Sequence, residues 1–287
     1  MPMTDRFSRA FPVFFVLLWS TGFIGARLGL PHAEPMTFLL IRYVIVIGCM
    51  ALIAVASGAR WPATPREWFH IGMSGLLVHG LYLGGVFIAI SKGLPAGVAA
   101  LVVSVQPLLT AVGAGWLLGE AVLKRQWVGL GLGLVGVGLV VLNKIGGVFD
   151  AFALVPALVA LVGITVGTLY QKRYCPSFDW RTGAVAQFIP TAIVTGLAAL
   201  FTERMIVDWT GEFVFAMGWL VLVLSIGAVS LLNWLIRHSS AVNIASLFYL
   251  VPPSTAVIAW LLFGETFSGL ALVGMALTVA GVYLARR

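Results

Sequence analysis

Charge is what this sequence has least of. Only 9% of its 287 residues are Asp, Glu, Lys or Arg, against roughly 25% in soluble domains. A chain so poor in charge cannot clothe itself in a polar surface. With 61% apolar residues and a mean hydropathy of +1.06, it reads as an integral membrane protein. Cysteine is nearly absent. Cys49 sits in an apolar run and Cys175 in a polar loop, which excludes a disulfide framework. No H-E-x-x-H, G-x-S-x-G, P-loop or Cys/His cluster occurs, so the common hydrolase, nucleotide and metal chemistries find no residues. No catalytic residue, metal ligand or cofactor is expected. Period-two alternation is also missing, which excludes a β-barrel.

What is there is a series of apolar runs, at about 10–28, 36–56, 68–91, 95–118, 127–143, 151–171, 181–201, 214–236, 241–263 and 268–285. Each is long enough to cross a hydrocarbon core of about 30 Å as a helix. The first, preceded by Arg6 and Arg9, reads as an uncleaved span. The +7 net charge is unevenly spread. An N-terminus on the inside puts twelve basic residues on the cytoplasmic side (Arg60, Lys124, Lys172 and Arg237 among them) against Arg27, Lys92, Lys144 and Arg204 outside. Both termini are then cytoplasmic, and the positive charge meets an anionic inner leaflet rather than nucleic acid.

The chain also repeats itself. Residues 103–120, VSVQPLLTAVGAGWLLGE, and 248–265, FYLVPPSTAVIAWLLFGE, share eight identities in 18 ungapped positions. Pro107 falls on Pro252, and Gly119–Glu120 falls on Gly264–Glu265. The same offset of 145 aligns Arg27 with Lys172, Lys92 with Arg237, Gly129 with Gly274 and Gly136 with Gly281. The expected architecture is all-α, ten transmembrane helices in two five-helix repeats, 1–145 and 146–287, around a central cavity. An odd number of spans per repeat inverts the second copy, the arrangement that underlies alternating access.

Ten helices in two halves, the Trp-Ser pair in LLWSTGFIGARLGL, Arg42 in the second span and the Gly-Glu pairs closing spans four and nine resemble the drug/metabolite transporter superfamily. More narrowly, the chain resembles its ten-helix EamA-type exporters, including those of aromatic amino acids. The resemblance implies a basket of helices around a midplane cavity, and export of small metabolites such as amino acids.

Individual residues refine this. Pro107, Pro252 and Pro253 break apolar spans, which a membrane tolerates beside a cavity; they are expected to act as hinges. Arg42 and His79 are intramembrane ionisable groups, hence candidates by default. Arg42 suits a carboxylate, though it also lies near enough to the outer surface to snorkel. With Trp19, Tyr82, Gln106, Asn233, Trp234, Ser246 and Tyr249 they form the expected substrate-binding set, joined more weakly by Tyr170 and Ser104. Trp61, Trp68, Trp127, Trp180 and Trp209 read as an interfacial belt. The Gly-Glu pairs read as structural corners, a glycine at a left-handed helix end and an acid at a helix start, with Lys124 four residues beyond Glu120. GLGLVG, residues 131–136, imitates a dinucleotide fingerprint but lacks the preceding strand and following acid. Close helix packing is its expected role.

The leading expectation is therefore a monomeric secondary exporter of small metabolites in the bacterial inner membrane. Alternatives within transport are drug efflux and flipping of a lipid-linked head group. A membrane-embedded enzyme is disfavoured by the missing catalytic dyads.

Overall fold

The computed structural model describes residues 3–94, 96–142, 151–175, 177–263 and 268–286. Gly264 and Glu265 lie outside them. Ten long helices account for nearly all of the described chain: α1 Met3–Gly29, α2 Pro35–Ala56, α3 Pro65–Ser91, α4 Val98–Leu118, α5 Lys124–Leu142, α6 Leu154–Tyr174, α7 Trp180–Thr202, α8 Gly211–His238, α9 Ala241–Leu262 and α10 Gly269–Arg286. Eight are long and apolar enough to cross a membrane by themselves, and α1 contributes the shorter apolar stretch Ala10–Ala26.

Two starts fall three residues earlier than the apolar runs suggest. Thr64 accepts from the Glu67 amide and Thr210 from the Phe213 amide, so side-chain caps begin α3 and α8 before the apolar stretch does. Glu67 reaches back to the Ala63 amide at 2.8 Å, completing a reciprocal cap.

The tightest helix pair is α5 against α10; α2 packs closely on α7, and α4 also packs on α9. Helix α6 lies along α3 and α4, and α1 along α8 and α9. The first two pairs, and α4 with α9, join helices related by the 145-residue offset. Along α5 and α10 the backbones touch. A Cβ added at Gly136 would stand 2.6 Å from the Gly274 carbonyl oxygen, and one at Gly129 would stand 2.6 Å from that of Gly281. The GLGLVG stretch thus packs helix on helix, as expected.

Acids fasten the helix ends. Glu203 accepts from the Met36 and Thr37 amides at the start of α2, both at 2.7 Å. Glu34 accepts from the Arg204 amide at 2.6 Å. Glu120 caps α9 through the Ala241 amide at 2.9 Å and lies 3.7 Å from Lys172. Its partners are therefore on α9 and α6 rather than Lys124. Gly119, at φ 67°, takes the left-handed conformation that ends α4. The outward surface is apolar, with Leu52, Trp116 and Phe201 largely exposed. That is stable only against lipid.

Candidate functional site

At two matching places in the doubled sequence the helices depart from regular α geometry, while a further π stretch at Ala114–Leu118 of α4 has no counterpart in α9. Proline at 107, 252 and 253 leaves carbonyls without a helical donor. In α4 the chain answers with i→i−3 bonds, from the Ser104 amide to Leu101 at 3.1 Å and from Val105 to Val102 at 3.2 Å. In α9 a 3-10 turn spans Phe248–Leu250, which is 103–105 displaced by 145. Helices α3 and α8 carry the opposite distortion. Wide π turns occupy Leu76–Leu83 and Leu220–Ala228, again 145 residues apart within one position. Such turns are frequent at functional sites, and sequence reasoning missed both.

The π stretches of α3 and α8 contribute to the wall of a central cavity. Trp19, Gly22 and Ala26 of α1, Arg42 of α2, Tyr82, Leu83, Val86 and Phe87 of α3, and Leu224 and Val229 of α8 line about 30 Å³. That is room for one or two waters. The Trp19 and Tyr82 rings lie nearly parallel, with centroids 6.4 Å apart. Arg42 is 1% exposed, so it does not snorkel. Its Nε donates to Ser225 Oγ at 2.9 Å, on the π stretch of α8. Among the described residues no carboxylate pairs with it. The expected residues Trp19, Arg42 and Tyr82 thus come together.

The others lie elsewhere. The His79 ring stacks on Phe188 at 4.4 Å, outside the cavity lining, and its carbonyl accepts from the Tyr43 hydroxyl at 2.7 Å. Gln106 donates to Thr110 at 3.1 Å, while its Oε1 is buried without a partner. Asn233 and Trp234 line a separate crevice. Ser246 bonds back to the Asn243 carbonyl within α9. Tyr249 packs against Gly133, away from the cavity, with its hydroxyl unpartnered. Tyr170 bonds His70 at 2.6 Å, and Ser104 bonds back to Leu101. Trp180, placed in the interfacial belt from sequence, lines the crevice of Asn233.

A buried amide chain joins α3, α6, α7 and α8, and of its members sequence reasoning had put only Asn233 in the candidate site. Gln171 donates to Asn233 at 2.8 Å, and Gln187 donates to Ser74 at 3.0 Å and to Gln171 at 3.3 Å. Gln187 is the repeat counterpart of Arg42. Arg42 ties α2 to α8, and Gln187 ties α7 to α3. The signal was available: two glutamines inside apolar spans, one aligned with the intramembrane arginine.

The proline break of α9 joins this machinery through α1. Ser20 Oγ donates to the Val251 carbonyl at 3.3 Å, and Thr255 Oγ1 donates to the Ser20 carbonyl at 3.2 Å. The Trp-Ser pair thus places one residue in the cavity wall and the next on the break in α9. Pro107→Ala and Pro252→Ala, each restoring a helical N–H, are expected to slow turnover about tenfold and change KM less than threefold. Unchanged turnover in both would make the prolines packing residues only.

A bundle of long apolar helices, eight of them able to cross a membrane, defines a polytopic membrane protein. The chain belongs to the EamA-like transporter family, whose profile matches it twice, over residues 10–142 and 151–287. It is 25% identical to the inner membrane transporter YedA of Escherichia coli K12, over 97% of this chain and 92% of that protein. A probable amino-acid metabolite efflux pump of Salmonella typhimurium is 24% identical, over 94% and 91%. A probable terminal-alkyne amino-acid exporter of Streptantibioticus cattleyicolor is 28% identical, over 96% and 92%. A solved crystal structure superposes with a TM-score of 0.79 at 22% identity, covering 97% of this chain and 96% of that one, a likeness of fold.

Proposed function

We propose that this protein exports small carboxylate-bearing metabolites, foremost amino acids with apolar or aromatic side chains, across the inner membrane by alternating access. The observation that carries the reading is Arg42, sealed at 1% exposure among Trp19, Tyr82 and Phe87 with one neutral hydrogen-bond partner. A buried cation without a counter-ion is costly. A substrate carboxylate taken in its guanidinium fork supplies the missing charge, and the aromatic wall receives an apolar side chain. The names of two relatives, as exporters of amino acids or their metabolites, support the substrate class.

Two inverted five-helix halves provide the motion. Support comes from the contacts of α5 and α10: shifting each residue to its repeat counterpart converts the Gly129–Gly281 contact into Gly274–Gly136, which is the other contact observed. An antiparallel pair with that property has a pseudo-twofold axis across it. The matched 3-10 and π turns support the same relation. A central cavity of about 30 Å³ is far below the 300–1,000 Å³ of small-molecule sites, so the helices must part to admit a solute. The weak turns of α3, α4, α8 and α9 are where they bend.

The test is counterflow in proteoliposomes over a panel of amino acids and their decarboxylated amines. Amino acids should exchange and the amines should not. Exchange of both classes alike would overturn the reading. No proton gradient should be needed. A proton-driven pump usually places a carboxylate in low dielectric, with its pKa raised toward neutrality, yet Glu34, Glu67, Glu120 and Glu203 all sit at helix ends. That leaves His79 as the mid-span candidate for carrying a proton. A protonophore should leave counterflow within twofold. Glu120→Gln and His79→Gln should both retain measurable exchange. Strict dependence on a proton gradient, lost in Glu120→Gln, would replace this uncoupled mechanism.

A further inference from the structure

A second compartment lies on the same helix as the central cavity. Phe11, Trp180, Ser230, Asn233, Trp234 and Arg237, from α1, α7 and α8, line an open crevice of about 300 Å³ at the face where the basic residues gather. Arg237 is held in place there. Its guanidinium donates to the Phe178 carbonyl and stacks 4.3 Å over the Phe178 ring. Its Nε is buried and without a partner. Asp179, the neighbouring acid, is committed to Arg181 through bonds of 2.9 and 2.6 Å. Arg237 thus lines an aromatic-walled space of ligand size with no described carboxylate bonded to it.

Helix α8 contributes to the walls of both the crevice and the cavity. Ser225, Val229, Asn233 and Arg237 follow at intervals of four and share a stripe. Ser225 holds Arg42, Val229 lines the cavity, and Asn233 and Arg237 line the crevice. Ser225 and Arg237 are twelve residues apart in sequence, about 18 Å along a helix. The repeat counterpart of Arg237 is Lys92, beyond the end of α3. It adjoins Ser91, which lines an open crevice of about 420 Å³ at the other face.

We propose that the Arg237 crevice is an access site for carboxylate-bearing solutes. The carboxylate docks on Arg237 and the apolar part lies against Phe11, Trp180 and Trp234. The solute then passes along α8 to Arg42. The proposal rests on the carboxylate-export reading of the central cavity but concerns a different set of residues. In L-phenylalanine counterflow, Arg237→Gln should raise KM about tenfold with kcat changed less than twofold, the weight of one exposed-mouth charge-assisted contact. Arg237→Lys should recover most of the loss.

A second measurement leaves Arg237 intact. In the Arg42→Gln protein, with Cys49→Ser and Cys175→Ser, a Ser230→Cys thiol should label at least threefold more slowly in the presence of L-phenylalanine. Phenethylamine should not protect, and adding Arg237→Gln should remove the protection. An unchanged KM in Arg237→Gln, or no protection of Ser230→Cys, would overturn the access site and leave the Arg42 reading standing. Full transport by Arg42→Gln with protection intact would do the reverse. Protection by phosphatidylglycerol in the vesicles, and not by L-phenylalanine, would assign the crevice to a lipid head group and also overturn the proposal.

Discussion

Counterflow by the Arg42→Gln protein is expected to fall at least a hundredfold, while its melting temperature stays level or rises. The two halves of this expectation have one cause. In the empty protein the guanidinium is 1% exposed, with Ser225 as its described hydrogen-bond partner, so its desolvation is poorly compensated. Glutamine keeps a donor near Ser225 and removes the buried charge, which relieves the empty state. In the loaded state the charge has a partner. Losing one member of a buried charge pair costs about 3–5 kcal/mol, or about two to three and a half powers of ten in affinity. Arg42→Lys should fall between the two, retaining charge without the fork. The rival account makes Arg42 a tether of α2 to α8. Under it, Arg42→Gln and Ser225→Ala would lower the melting temperature together and leave exchange intact. Thermal melts beside counterflow separate the accounts, and a destabilised Arg42→Gln protein that still exchanges would sink the substrate role.

The features legible in sequence were those that one residue type enforces. Proline has no N–H, so Pro107 and Pro252 announced breaks that the helices carry. Glycine tolerates positive φ, so Gly119 announced the end of α4. An arginine inside an apolar run announced the cavity that Arg42 lines. The π turns at Leu76–Leu83 and Leu220–Ala228 had no such signature. One extra residue per turn leaves the composition of an apolar helix unchanged, and only the packing of α3 and α8 against their neighbours selects it. The side-chain set was half legible for a similar reason. Trp19, Arg42 and Tyr82 converge from three helices, whereas Tyr249 and Ser246 have the same polarity and depth but face other neighbours. Which side of a helix faces the cavity depends on rotation, and in lipid both sides of a span are apolar, so hydrophobic periodicity does not report it.

The glycine seam between α5 and α10 carries the other large effect. Gly136→Val should lower the melting temperature by roughly 5–10 °C, from an overpacking cost of about 2–3 kcal/mol. A Cβ there would lie 2.4 Å from Thr278 Oγ1 and 2.6 Å from both the Gly274 carbonyl oxygen and the Thr278 amide nitrogen. Two of those three atoms are backbone, so no side-chain rotation relieves the clash, and the helices must separate. Within a membrane, no hydrophobic gain re-forms a loosened pair, because lipid is as apolar as the partner helix. What holds the pair is close contact, which falls away over less than 1 Å. Gly131 in the same GLGLVG stretch is the control, since a Cβ there meets nothing within 4 Å. Gly131→Val should shift melting by less than 2 °C, since only the small helix-propensity difference in favour of valine is at work. The pseudo-twofold adds a stricter demand. Gly281 is the repeat counterpart of Gly136, and a Cβ on it would lie 2.5 Å from the Gly133 amide nitrogen and 2.6 Å from the Gly129 carbonyl oxygen. Gly281→Val should therefore destabilise as much as Gly136→Val, within a few degrees. Equal losses at Gly131 and Gly136 would show that bulk anywhere on α5 is harmful, and the seam would lose its special standing. A large loss at Gly136 with none at Gly281 would instead count against the proposed symmetry of the two halves, and with it against the proposal of alternating access through their exchange.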